Sequence, residues 1–186
     1  DLFDGPPGTA HLPITVPPGA SRVYLGVQAT TAPDIDLFVF ADGAGGPPDG
    51  VPQLAELICS SASFTSDEVC DLRSPDVRGQ TLIALVQNYR GSGLSADRVD
   101  LLVNVVTSEL AGNGSASGPA MVPAGEPFAV TLQWRLPDQP AAVGRYLGVL
   151  QLSSSPDPAI AGDLGSIPID LDYLRERTFV PVVSRP

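Results

Sequence analysis

The chain has 186 residues, 43% of them hydrophobic and 17% charged, which is enough apolar material for a core and too little charge for a disordered polyelectrolyte. Its 19 Gly and 20 Pro exclude a helical bundle and favour strands joined by turns. The net charge is −11 and all ten basic residues are Arg, scattered singly, which argues against nucleic acid and anionic membrane surfaces as partners.

In chain order, residues 21–29 alternate, with Val23, Leu25 and Val27 on one face and Tyr24, Gly26 and Gln28 on the other, the period of a strand. Residues 35–41 are apolar on both faces once past Asp36, as in a strand buried on both sides. Residues 80–89 and 98–106 repeat the alternation, and the Gly-, Pro-, Asp- and Ser-rich stretches 42–52 and 90–96 read as loops. Residues 108–118, Ser-Glu-Leu-Ala-Gly-Asn-Gly-Ser-Ala-Ser-Gly, read as a flexible linker. Strands resume at 128–135, with Phe128, Val130, Leu132 and Trp134 on one face, then at 145–152 and 166–171. Trp134 is the expected core marker, the large central filler of a small sandwich. The best short helix candidate is 171–177, and the apolar tail 178–183 reads as an edge strand or as a segment that contacts a partner. No apolar run reaches the roughly 18 residues of a membrane span. The chain opens at Asp1 with no charged n-region and apolar h-region, so it reads as a mature or excised segment. The predicted fold is all-β: two tandem antiparallel β-sandwiches, residues 1–107 and 119–186, on either side of the linker 108–118.

The two cysteines, Cys59 and Cys70, bracket a polar stretch that reads as a hairpin loop. An even count in an acidic, Lys-free, Pro-rich chain points to a disulfide and an oxidising, extracellular compartment, with two separate buried thiols as the alternative. Two Cys and a single His cannot supply the four ligands of a structural zinc site.

Asp34 and Asp36 are the sharpest candidate pair, because alternate residues of a strand face one side. With Asp4 or a loop carbonyl they could hold a hard cation such as Ca²⁺; the alternative is that both only accept hydrogen bonds. No other cofactor is expected. Asp170, Asp172 and Glu176 form a second acidic cluster, better read as a solvated sheet face. A Ser-His-Asp triad would have to use His11, which has no nucleophile signature near it. Gly114-Ser115-Ala116-Ser117-Gly118 departs from a nucleophile elbow, since Ala116 stands where the serine belongs. Asn113-Gly114-Ser115 matches a glycosylation acceptor, a commonplace loop tripeptide. Tyr24, Phe38, Tyr89, Trp134 and Tyr146 are explained first by core packing; an exposed aromatic platform is the competing reading. No catalytic residues are assigned.

The order of motifs carries a resemblance. A Val16-Pro17-Pro18-Gly19 turn and a strand are followed by Asp34-Ile35-Asp36-Leu37-Phe38-Val39-Phe40, the Cys-bounded segment and Thr81-Leu82-Ile83-Ala84-Leu85-Val86. This resembles the bacterial pre-peptidase C-terminal domain. Val122-Pro123-Ala124-Gly125-Glu126-Pro127-Phe128, Leu132-Gln133-Trp134 and Gly144-Arg145-Tyr146-Leu147-Gly148-Val149-Leu150 then resemble the fibronectin type III-like segment that ends many secreted subtilisin-like serine peptidases. The resemblance implies a jelly-roll-like sandwich followed by an immunoglobulin/fibronectin III-like one. It further implies a secreted, non-catalytic accessory region that stabilises or orients a catalytic domain, aids secretion or is removed on maturation. The implied partner is that catalytic domain or a polymeric substrate, protein or polysaccharide. A cell-surface adhesion module is the other reading.

Overall fold

In a computed structural model the chain is described at residues 8–73, 77–107, 114–135, 144–155, 157 and 162–173. It is all-β, with a single 3₁₀ turn, Leu54–Glu56, and no α-helix among the described residues. It divides into two compact units, Asp1–Ser108 with Val149–Ile167, and Glu109–Gly148 with Pro168–Pro186.

Among the described residues the 1–108 part of the first unit contains seven strands: β1 (Thr9–Thr15), β2 (Ala20–Thr30), β3 (Asp34–Asp42), β4 (Leu57–Ser61), β5 (Val69–Leu72), β6 (Thr81–Arg90) and β7 (Val99–Thr107). They form a four-stranded sheet in the order β1-β6-β3-β4 and a three-stranded sheet in the order β5-β2-β7, with antiparallel ladders. Register follows from the period-2 pattern, since a one-residue slip would turn every apolar side chain outward. Leu37 stands opposite Val86, Val39 opposite Ala84 and Ala41 opposite Leu82. These residues share one core with Val23 and Leu25 of β2 and Cys70 of β5, so the two sheets pack face to face. A second apolar cluster, Phe40, Ile83 and Leu85 with Phe38 and Leu57, lies on the other face of the four-stranded sheet. β3 therefore lies between β6 and β4 and is buried on both faces, as its two-sided apolar run predicts.

The segment between the cysteines differs from the expected hairpin. β4 belongs to one sheet and β5 to the other, so residues 62–68 cross between layers rather than turning back on one ladder. The cause lies in the pairing: Ser61 stands opposite Leu37 of β3, while Cys70 stands opposite Leu25 of β2. The Cys59–Cys70 disulfide thus joins an edge strand of each sheet, with Cα atoms 6.0 Å apart.

In the second unit β8 (Gly114–Ser117) pairs antiparallel with β9 (Thr131–Trp134). β8 occupies the second half of the stretch read as a linker, whose first half, 108–113, lies outside the described residues. Strands β10 (Gly144–Leu152) and β11 (Gly165–Tyr173) form a two-stranded sheet. Leu171–Tyr173, the start of the helix candidate, is strand; residues 174–177 and the tail 178–183 lie outside the described residues. Trp134 is 51% exposed, which overturns its expected place as a core marker. The β8–β9 ladder has only two strands, too few to bury a face of their own, and Phe128 beside it is also exposed.

Candidate functional site

Asp34 and Asp36 open β3, and Glu68 follows the crossing segment just before β5. Their residues are only 3%, 7% and 1% exposed. Glu68 is well supplied with donors: Ser61 Oγ and Ser63 Oγ donate to it, and the Ser63 N–H donates at 2.9 Å. Burial pushes its pKa up, but the hydrogen bonds from Ser61 and Ser63 outweigh burial and hold the carboxyl below its ordinary value. Asp36 behaves oppositely. Desolvation, then the charges of Asp34 and Glu68, raise its pKa. Asp34 Oδ1 is buried and has no hydrogen-bond partner. The structure therefore brings the sequence-predicted pair together with a third acid that sequence reading passed over. The missed signal was Glu68 at the end of a hydroxyl-rich run, Ser60-Ser61-Ala62-Ser63-Phe64-Thr65-Ser66, where side chains cap backbone groups.

As a metal centre the cluster offers oxygen donors only. No group of three or more His, Cys, Asp or Glu side chains arranged to hold a metal ion occurs among the described residues. Both cysteines are in the disulfide, so a thiolate site is excluded.

At the same end of the first unit the loops are bound to one another through Asp97. Its carboxylate accepts from Ser92 Oγ at 2.6 Å, Thr31 Oγ1 at 2.8 Å, Asn88 Nδ2 at 2.9 Å and the Ser92 N–H at 3.1 Å. Those bonds, Ser92 first, hold Asp97 far below the usual carboxylate range. Thr31 belongs to the β2–β3 turn and Ser92 to the β6–β7 loop, so one carboxylate joins two connections. Ser66 Oγ donates to the Ala32 carbonyl at 2.9 Å and brings in the crossing segment as well. Phe64, at the tip of that segment, is 90% exposed, and Tyr89 and Leu94 are exposed too.

Other carboxylates do similar work. Asp42 accepts from the N–H groups of Asp49 and Gly50, and Glu56 from those of Gly43 and Gln53, which fixes the loop after β3. Asp163 accepts from the Ser154 N–H and hydroxyl between β10 and β11, which lowers its pKa. Arg22, 1% exposed, donates from Nε to Asp71 at 2.7 Å and lies over the Tyr24 ring at 5.6 Å, while Arg73 reaches the same carboxylate at 2.8 Å.

His11 lies exposed on edge strand β1 and lines an open groove of about 940 Å³ with Leu12, Asn88, Leu94, Asp97 and Leu101 among others. Ser115 and Ser117 are on β8, so the elbow-like stretch is a strand, not a strand-to-helix turn. Tyr24 is buried, Phe38 and Tyr146 half-buried, and Tyr89 and Trp134 exposed, so core packing accounts for only part of the aromatic set. Asp170 belongs to β11.

Comparison with known proteins adds no relative: no family model, no curated protein and no solved structure matches the chain.

Proposed function

We propose that this chain is a non-catalytic accessory region of a secreted subtilisin-like serine peptidase, built as tandem β-sandwiches that stabilise or orient the catalytic domain. The observation that carries the reading is how the carboxylates are used. Asp42, Glu56, Glu68, Asp97 and Asp163 each hold a loop by accepting from backbone N–H groups, the last three from hydroxyls as well, an arrangement suited to rigidity rather than proton transfer. A catalytic acid or base would need a reacting group within hydrogen-bond reach. The order of sequence motifs supplies the peptidase context, and the disulfide is compatible with an extracellular setting.

The test is to express the parent peptidase with and without these 186 residues. The reading expects lower secreted yield or a lower inactivation temperature without them, and unchanged turnover of a small peptide substrate. Equal yield, stability and substrate range for both forms would sink it.

A second reading, a module that binds polymeric protein or polysaccharide, draws support from exposed Phe64 and Tyr89 on the first unit. It expects the chain to cosediment with an insoluble polymer, and Phe64→Ala to weaken that retention.

A further inference from the structure

The two flanks of the seven-stranded sandwich are finished differently. On one flank the short edge strands β4 and β5 are joined by the disulfide. On the other, β1 and β7 are the outermost strands of their sheets and line one groove, with Leu12, Val86, Leu94, Val99 and Leu101 on its walls. Proteins blunt such edges with proline, charge, short length or a cover. β1 carries Pro13. β7 has none of these devices among the described residues. Its nine residues, Val-Asp-Leu-Leu-Val-Asn-Val-Val-Thr, lack proline and Lys, and the one charge, Asp100, is paired with Arg98 at 2.8 Å. Its sheet has three strands against four in the facing sheet.

Two hydrogen bonds fix the direction of the β7 backbone. The Arg98 carbonyl accepts from the Thr31 N–H at 3.1 Å and the Val106 carbonyl from Ser21 Oγ at 3.1 Å, so even-numbered residues turn toward β2. Backbone groups alternate in direction along a strand, so those of Val99, Leu101, Val103, Val105 and Thr107 point out into the open flank, where no described strand meets them. The side chains of Leu101, Val103 and Val105 pack against the core. A strand laid antiparallel on β7 would therefore pair its main chain with these three residues and direct every second side chain into the groove.

We propose that the outer edge of β7 takes up an extended peptide strand of a protein partner, with apolar side chains at alternate positions and cationic ends. Main-chain pairing supplies the affinity and the groove selects the alternate apolar side chains. The net charge of −11 attracts a cationic strand and repels a second copy of this chain, which decides between those two occupants. This inference goes beyond the accessory-region reading and does not depend on it.

The experiment is amide hydrogen exchange by NMR on the 186-residue chain, alone and with excess acetyl-Arg-Thr-Val-Thr-Val-Thr-Val-Thr-Arg-amide. In the free chain the amides of Leu102 and Asn104 should be protected and those of Leu101, Val103 and Val105 should exchange fast. The peptide should slow the latter three. N-methylation of its three valines, whose amides would face β7, should weaken binding roughly tenfold or more, whereas N-methylation of the two central threonines should not. Replacing both arginines of the peptide with glutamates should also weaken binding, by a factor that shrinks as salt is added. Protection of Leu101, Val103 and Val105 before any peptide is added would overturn the proposal, because the chain itself or a second copy would then cover the edge, and sedimentation would tell which. Equal effects of the two N-methylations, equal binding of the glutamate peptide, or no added protection at millimolar peptide would overturn it too.

Discussion

Asp97 carries four hydrogen bonds from three chain segments although it lies at the surface, and the price of its position falls on its acidity. Its folded pKa is depressed while its unfolded value is about 3.9. An acid depressed in this way contributes stability that is present above about pH 4 and is lost as pH falls toward the folded pKa. We expect Asp97→Asn to unfold at lower urea concentration than wild type at pH 7, with the gap narrowing toward pH 2. A gap independent of pH would contradict the account. Asp71 offers a contrast, because Arg22 is almost wholly buried against it. Asp71→Ala removes two charge-assisted hydrogen bonds from a buried guanidinium, so it should destabilise by about 1.5–3 kcal/mol in equilibrium denaturation. Phe40→Ala, at the fully buried centre of the outer cluster, should cost about 3–5 kcal/mol by cavity formation, whereas Phe64→Ala should change stability by less than about 0.5 kcal/mol. Equal effects of the two phenylalanine substitutions would mean that the burial pattern is wrong.

At the scale of elements, β2, β3, β6 and β7 were legible because each alternates or, in β3, carries an apolar run on both faces past Asp36. β1 was not. Pro13 and His11 break its pattern, and as an edge strand it needs only one side of its ladder. β8 was masked by its composition, since Gly-Ser-Ala-Ser carries no hydrophobic signal and its strand character comes from pairing with β9. The same local reading misplaced Trp134: alternation shows which residues share a face and says nothing of whether a second layer covers it. Within the candidate site Asp34 and Asp36 could be read from period 2, but Glu68 comes from 32 residues beyond Asp36 and only the fold unites them. The disulfide has the same long-range character, tying β4 of one sheet to β5 of the other. Replacing both cysteines with Ala should lower unfolding free energy by about 3 kcal/mol in the chain-entropy model for so short a loop. An unchanged denaturation midpoint would show that the two edges hold without the bond.

Across the whole molecule the acid excess and the lack of Lys belong together. Among the described residues Asp42, Glu56, Glu68, Asp97 and Asp163 serve as acceptors for loop N–H and hydroxyl groups, and so employ loop donors rather than cationic side chains. The disulfide also changes what a break in the backbone would mean. Phe64 projects from the middle of the span between Cys59 and Cys70, where a protease with aromatic preference can reach it. A cut there leaves two pieces still joined through sulfur, each keeping its strand in its own sheet. Brief chymotrypsin treatment should therefore yield a single band on a non-reducing gel and two after reduction. Severed at the most accessible aromatic among the described residues, the chain would still remain one molecule.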